Sequence, residues 1–324
     1  TLSYVDKKIP LIVPNFTTNS TGLLLQDLGF TNIHNLNFED QYQFDDSELI
    51  FTIFKSGDLR DDSGFYFSAG KFKGLLTVDA NNLNFLKLPS IDLFASSFAG
   101  GAHGYPLNCE NYALEDRIKM LDTDRKFIRQ TKYKYLKKIK PKFFLPYAGF
   151  FKEVLKRDKI YIKHNKKNLV NDYKSFCKKL NIQILNVEEN TIFNFDKNKK
   201  VKPEPYIGKY YADISEESYL KYFKEKYQKI DLNYIKNYFE KSEFNDNSIL
   251  FISLTDSNFE KSDVNFKINF TKKITFSILE DEYLKQALKN ENNYLFLKIR
   301  KEAFLNTIYN KRSWEDISIG FQNR

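Results

Sequence analysis

The chain has only two cysteines, Cys109 and Cys177, and no CxxC pair. Two thiols cannot build a disulfide framework, and they are too few for a four-thiolate zinc or iron–sulfur centre. A reducing, cytoplasmic setting is the simplest expectation. Histidine is scarce as well: His34, His103 and His164 are the only three. No nucleophile elbow, P-loop, dinucleotide fingerprint or HExxH motif is present. The longest apolar runs are strand-length, so no membrane-spanning helix is expected. The chain opens on Thr1 with no charged-then-apolar leader behind it, as expected of a segment of a longer protein.

What the chain does have is bulk and aromatic content. Its 324 residues, 42% hydrophobic and 16% aromatic, suffice for one large domain or two smaller ones and exclude global disorder. The net charge of +9 comes mostly from lysine, since only 8 of the 51 cations are arginine. That skew, with abundant Asn, Ile, Phe and Tyr, fits AT-rich coding better than selection for a polyanion. The densest basic run places Lys at 132, 134, 137, 138, 140 and 142. It reads as a solvated helix face, with attraction of nucleotide phosphates as the lesser alternative. Nucleic-acid binding would want more arginine and a recognisable module, so no nucleic-acid partner is expected.

Along the chain, residues 9–16 read as a strand, a helix over 23–28 ends at Gly29, and 31–36 form a second strand. Strands are expected at 49–55, 64–69, 74–78 and 91–95. A helix follows over 110–138, carrying Leu114, Ile118, Leu121 and Ile128 at helical spacing, and then a strand at 142–145. A helix at 169–180, a strand at 182–187 and a polar loop over 196–205 come next. One long helix is expected over 216–239, then strands at 249–254, 264–270 and 274–279, then two helices. The pattern predicts an α/β unit over 1–204 and an α+β unit over 205–324.

Apolar runs that end in Gly, Pro or polar clusters mark where a pocket forms in α/β layers. Asp79 ends the run Leu75-Leu-Thr-Val; a carboxylate there suits a metal ligand, or an Asx-turn after a strand. His103, among the glycines of Gly100-Gly-Ala-His-Gly-Tyr-Pro106, is either a second ligand or an inert loop histidine. The turn Arg60-Asp-Asp-Ser63 offers Arg60 to an anionic substrate, with Asp62 and Ser63 orienting it, unless it is an ordinary hairpin turn. Tyr105, Asn111 and Tyr147 are further polar groups at strand ends, and each could equally be a satisfied hydroxyl or amide. Taken alone, these residues support a pocket and do not reach a reaction.

The order of segments resembles the metallo-β-lactamase superfamily, in the branch related to CMP-N-acetylneuraminate hydroxylase. The resemblance rests on Asp61-Asp-Ser-Gly-Phe, Thr77-Val-Asp-Ala-Asn and Asp92-Leu-Phe…Phe-Ala-Gly-Gly-Ala-His-Gly-Tyr-Pro. It continues through Lys140-Pro-Lys-Phe-Phe-Leu-Pro-Tyr-Ala-Gly and Ser313-Trp-Glu-Asp-Ile-Ser-Ile-Gly-Phe-Gln. It implies a four-layer αββα sandwich, with an α+β accessory region behind it. Trp314 and Phe321 are expected to dock back on the main body, since the closing segment would otherwise expose large apolar groups. The resemblance places Asp79 at the superfamily's bridging aspartate, Ser56-Gly-Asp-Leu-Arg near its third ligand position and Pro146-Tyr-Ala-Gly near its last. It also implies a divalent metal, zinc or iron, with His103 as a substitute ligand and most ligands upstream of residue 1. The superfamily's His-x-His-x-Asp-His motif is absent from this sequence.

The function expected from this resemblance is that of a metal-binding domain of an enzyme similar to the CMP-sialic acid hydroxylase. Its substrate would be a nucleotide-activated or surface-glycan sugar, a small anionic sugar or nucleotide sugar. A Rieske iron–sulfur centre would lie outside the segment or on an electron-transfer partner. The alternatives are a metal-dependent hydrolase of a phosphodiester, amide or lactone, and a non-catalytic scaffold with a decayed site.

Overall fold

A computed structural model describes residues 2–44, 47–58, 61–80, 82–83, 88–148, 153, 155–186, 191–207 and 214–324. The chain forms two compact units, and both are discontinuous. The first comprises residues 1–100, 125–150 and 167–209; the second comprises 101–124, 151–166 and 210–324. The second unit thus also takes in two segments upstream of the boundary expected at 204/205.

The first unit is built on a mixed seven-stranded sheet. Its strands are β3 (Gln41–Gln43), β4 (Leu49–Lys55), β5 (Ser63–Ala69), β6 (Phe72–Leu76), β7 (Leu93–Ser96), β8 (Phe143–Pro146) and β9 (Gln183–Ile184), in that spatial order. The pairs from β3 to β6 are antiparallel, and those from β6 to β9 are parallel. A parallel pair cannot be joined by a tight turn, so helices occupy the crossovers. These are α2 (Leu114–Ile139), whose residues from Arg125 onward lie in this unit, and α4 (Asn171–Lys179).

Alternation along β4 sorts its side chains onto opposite faces of this sheet. Phe54 joins Tyr66, Leu75, Phe94 and Phe144 against Leu136 of α2 and Tyr173 and Cys177 of α4. Each such buried side chain contributes roughly 1.5–3 kcal/mol. Phe51 and Ile53 face the other way and pack with Leu36 and Ile12. These two belong to β2 (Ile33–Leu36) and β1 (Leu11–Pro14), a separate parallel pair. Val13, the neighbour of Ile12, points outward to Leu25 of α1 (Ser20–Asp27). Helix, small sheet, large sheet and helices thus stack as the four expected layers. The small-sheet layer also holds the hairpin of β10 (Thr191–Phe195) and β11 (Val201–Pro205), which covers Leu93 and Phe143. This corrects the loop expected over 196–205.

The second unit has a four-stranded sheet, in the order β14 (Thr275–Leu279), β13 (Ser262–Phe270), β12 (Ser248–Thr255) and β15 (Tyr294–Arg300). Only the β12–β15 pair is parallel. Strand β15 is an addition to the sequence reading. The helix expected over 216–239 is two helices, α5 (Glu216–Lys226) and α6 (Leu232–Glu240). Asp231 breaks the run by capping α6, accepting the amide of Tyr234. Helices α6, α8 (Lys301–Tyr309) and α9 (Glu315–Ile319) bury Ile235, Phe239, Phe304, Ile308 and Ile317 on one face of the sheet. Helices α3 (Lys159–His164) and α7 (Asp281–Asn290) complete the unit.

Candidate functional site

The segments after β6, β7 and β8 meet at the end of the parallel strands in the first unit, the edge at which ligands gather in open α/β sheets. The Thr77 hydroxyl donates to Ser96 Oγ at 2.8 Å, and both residues are buried. Two residues on, Asp79 is exposed. Between them Val78 has φ of +34°, in the left-handed region that a β-branched residue rarely enters. Such a conformation persists only where its surroundings over-determine it, and it is common at functional sites. Here the amide of Ser97 binds the Val78 carbonyl at 3.2 Å, and Thr77 donates its amide to Ala95.

Tyr147, just beyond β8, is half-buried beside this turn and hydrogen-bonds the Val78 backbone. Burial pushes its phenol pKa up, and the nearby Asp79 carboxylate adds to the rise. The β4–β5 turn reaches the same loops: Gly57 donates its amide to Asn82 at 3.0 Å, and Ser56 donates to the Asp62 carbonyl at 2.8 Å. A Cβ on Gly57 would lie 2.7 Å from the Asn82 carbonyl oxygen, so the approach depends on glycine. Asp62 and Ser63 are half-buried in this turn, and Ser63 donates its amide to the Asp62 carboxylate. Arg60 lies outside the described residues.

Lys132 is the group that the sequence reading placed wrongly. Five of the six lysines in the basic run are exposed, yet Lys132 is only 2% exposed and points its ammonium at Ser96 Oγ, 2.6 Å away. Desolvation lowers its pKa to about 8, and attraction from Asp79 opposes the fall. A signal for this existed in the sequence. Leu121, Arg125, Ile128, Lys132 and Leu136 follow one stripe of α2, and both cations on it are buried. The result is a strand-end cluster with an exposed carboxylate, a buried ammonium, a phenol and two hydroxyls.

His103, Tyr105 and Asn111 belong to the second unit, whereas Asp79, Asp62, Ser63 and Tyr147 belong to the first. His103 is exposed beside the Tyr105 ring, at 6.3 Å between centroids. Within the second unit the two most distinctive motifs come together: Gly104 donates its amide to Ser318, and Leu107 packs with Tyr161 and Phe321. Trp314 donates to the Tyr238 hydroxyl at 3.0 Å, so this closing segment docks within the second unit. Among the described residues no group of three or more His, Cys, Asp or Glu side chains could hold a metal. The described residues by themselves therefore do not fit a metal centre.

Comparisons with known proteins agree with the resemblance read from the motifs. No family model matches. The chain is 27% identical over 284 residues to the cytidine monophosphate-N-acetylneuraminic acid hydroxylase of Macaca mulatta, covering 78% of this chain and 45% of that protein. It is 26% identical over 359 residues to the Danio rerio protein of the same name, covering all of this chain and 57% of the relative. An inactive human form is 26% identical over 284 residues, with 78% of this chain and 53% of that protein covered. The chain thus spans about half the length of the curated relatives it matches. Among solved structures, the diiron β-hydroxylase CmlA of Streptomyces venezuelae aligns with a TM-score of 0.34 and 14% identity, over 54% of this chain and 38% of that one.

Proposed function

We propose, from the similarity to CMP-N-acetylneuraminic acid hydroxylases, that this chain is part of an iron-dependent hydroxylase acting on a nucleotide-activated acidic sugar. One observation supports the reading most: the similarity, at 27% identity, runs through 78% of the chain. Iron, when bound, would supply the activation of dioxygen that a carboxylate, an amine and a phenol cannot. Inserting one oxygen atom and reducing the other to water takes two electrons, so the reaction requires an electron-transfer partner.

In this reading the chain's own residues bind and orient. Asp79 would supply one carboxylate ligand, the others lying outside the described residues. Lys132 holds positive charge behind it and fixes Ser96. Tyr147 pins the strained Val78 turn, and Asp62 and Ser63 face the sugar hydroxyls. Arg60 binds substrate carboxylate or phosphate.

The test is turnover of CMP-N-acetylneuraminic acid by the complete protein, supplied with iron, dioxygen and a reductant, with Asp79→Asn beside it. The expected result is oxygen-dependent hydroxylation that falls by about two orders of magnitude or more in the variant, as for loss of a metal ligand. Full activity in a folded Asp79→Asn protein would overturn the assignment. Cleavage of the substrate without oxygen uptake would favour a hydrolase.

A further inference from the structure

Nine of the 51 cations and none of the 42 acids lie within residues 125–142. That leaves 42 of each sign elsewhere, so this one segment accounts for the whole net charge of +9. AT-rich coding raises lysine along an entire chain and does not explain a charge confined to one place. The segment is the first-unit part of α2 with the turn into β8. Beside it α4 has a single acid, Asp172, which lies 3.9 Å from Arg129. The two helices pack side by side. Tyr133 stacks on Phe176 with ring centroids 4.2 Å apart, and its hydroxyl donates to the Asp172 carbonyl at 2.8 Å.

The inner stripes of both helices enter one core through Leu136, Tyr173 and Cys177, so their outer stripes share one surface. Lys126, Lys134 and Lys137 of α2 and Lys174, Lys178 and Lys179 of α4 are exposed there. None of these six forms an ion pair among the described residues. Like charges four residues apart, as in Lys174 and Lys178, repel and weaken a helix. Helices of the second unit avoid this. Lys221 lies 3.9 Å from Glu225, and Lys236 lies 3.8 Å from Glu240, each four residues on. The helix dipole favours Lys137, Lys178 and Lys179, which sit in last turns. It does not reach Lys126, Lys134 or Lys174.

We infer that the outer face of α2 and α4 docks on an anionic lipid bilayer. The kind of cation decides between partners. Protein interfaces are enriched in arginine and depleted in lysine, and base recognition draws on the arginine fork. On this face Arg125 is buried and Arg129 is half-buried against Asn168 at 2.8 Å, which leaves lysine as the exposed cation. An ammonium on a flexible stem suits headgroups that diffuse laterally and impose no fixed geometry. Large apolar groups beside lysines add to such a contact by entering the headgroup layer. Phe127, next to Lys126, is 65% exposed, and Leu169, just before α4, is 53% exposed. The docking face goes beyond the hydroxylase reading and stands without it, since it lies wholly within this helix layer.

Cosedimentation of the full chain with vesicles tests it and needs no turnover. The probes are vesicles of phosphatidylcholine alone and of phosphatidylcholine mixed with phosphatidylserine. The expected result is binding to the mixed vesicles only, falling steeply as salt is raised. Each lysine at an anionic surface contributes about fivefold in affinity. A triple variant, Lys134→Gln with Lys174→Gln and Lys178→Gln, should therefore bind about a hundredfold more weakly. A control that removes the same charge from the second unit, Lys221→Gln with Lys236→Gln and Lys285→Gln, should stay within about twofold of wild type. Phe127→Ala should weaken binding while leaving its salt dependence unchanged. No binding by folded wild-type protein, equal binding to both kinds of vesicle, or equal loss in the two triple variants would each overturn the inference. Tighter binding of polyglutamate or duplex DNA than of the mixed vesicles would also overturn it, in favour of an acidic protein or a nucleic acid.

Discussion

The Lys132 ammonium sits 2.6 Å from the Ser96 hydroxyl, inside a stripe of α2 that is otherwise apolar apart from Arg125. A buried ammonium is a poor way to stabilise a fold, because its desolvation offsets much of what it gains. Lys132→Met should therefore change stability by no more than about 1 kcal/mol while lowering turnover sharply. Denaturant titration beside the activity assay reads both. A large stability loss with retained turnover would make Lys132 structural.

The same lysine sets a pH dependence. Burial lowers its pKa to about 8, from 10.5 in the unfolded chain. Between those two values the unfolded chain binds more protons than the native one, so this group makes stability rise with pH. Below about pH 8 its burial penalty is fully present. Urea midpoints at pH 7.5 and 9.5 should rise more in wild type than in Lys132→Met. Parallel changes in the two proteins would remove Lys132 as the source.

Gly57→Ala places a methyl group 2.7 Å from the Asn82 carbonyl oxygen. Overpacking of that kind costs about 1–3 kcal/mol. It should also push the β4–β5 turn away from the Asp79 loop. Turnover is expected to fall further than the shift in thermal midpoint accounts for. An unaltered activity would show that the two loops need not touch.

The Phe321 ring stacks on Tyr161 with centroids 4.1 Å apart and is 1% exposed. Phe321→Ala should cost roughly 3–5 kcal/mol of stability. Removing one partner of the buried Arg300–Asp158 pair, as in Asp158→Ala, should cost about as much, because a buried cation is left uncompensated. Calorimetric unfolding checks both. Shifts below about 1 kcal/mol would mean that the closing segment is loosely held.

The layers of the first unit were legible because β4 to β8 are aliphatic or aromatic runs bounded by turn residues, and the helices between them keep a 3.6-residue period. Asp79 and Tyr147 stood out because each follows such a run directly. Lys132 did not, since the exposed lysines around it mask a position defined by its spacing from Leu121 and Leu136. The β10–β11 hairpin was hidden by Pro203 and Pro205, which an edge strand tolerates and a central one does not. The break before α6 rests on the single cap at Asp231, too local a signal against a continuous amphipathic pattern.

The discontinuity of the two units limits how this chain can be cut or rearranged. Leu107, Leu121 and Tyr161 lie far upstream of Phe321, yet all four form one core cluster of the second unit. A cut at 204/205, natural for a protein with beads-on-a-string domains, would strand three of those four side chains on the other fragment. Expressing the C-terminal part alone should give an aggregation-prone product with an open apolar scar. Neither unit is an interchangeable cassette: gain, loss or exchange of one must preserve segments threaded through the other.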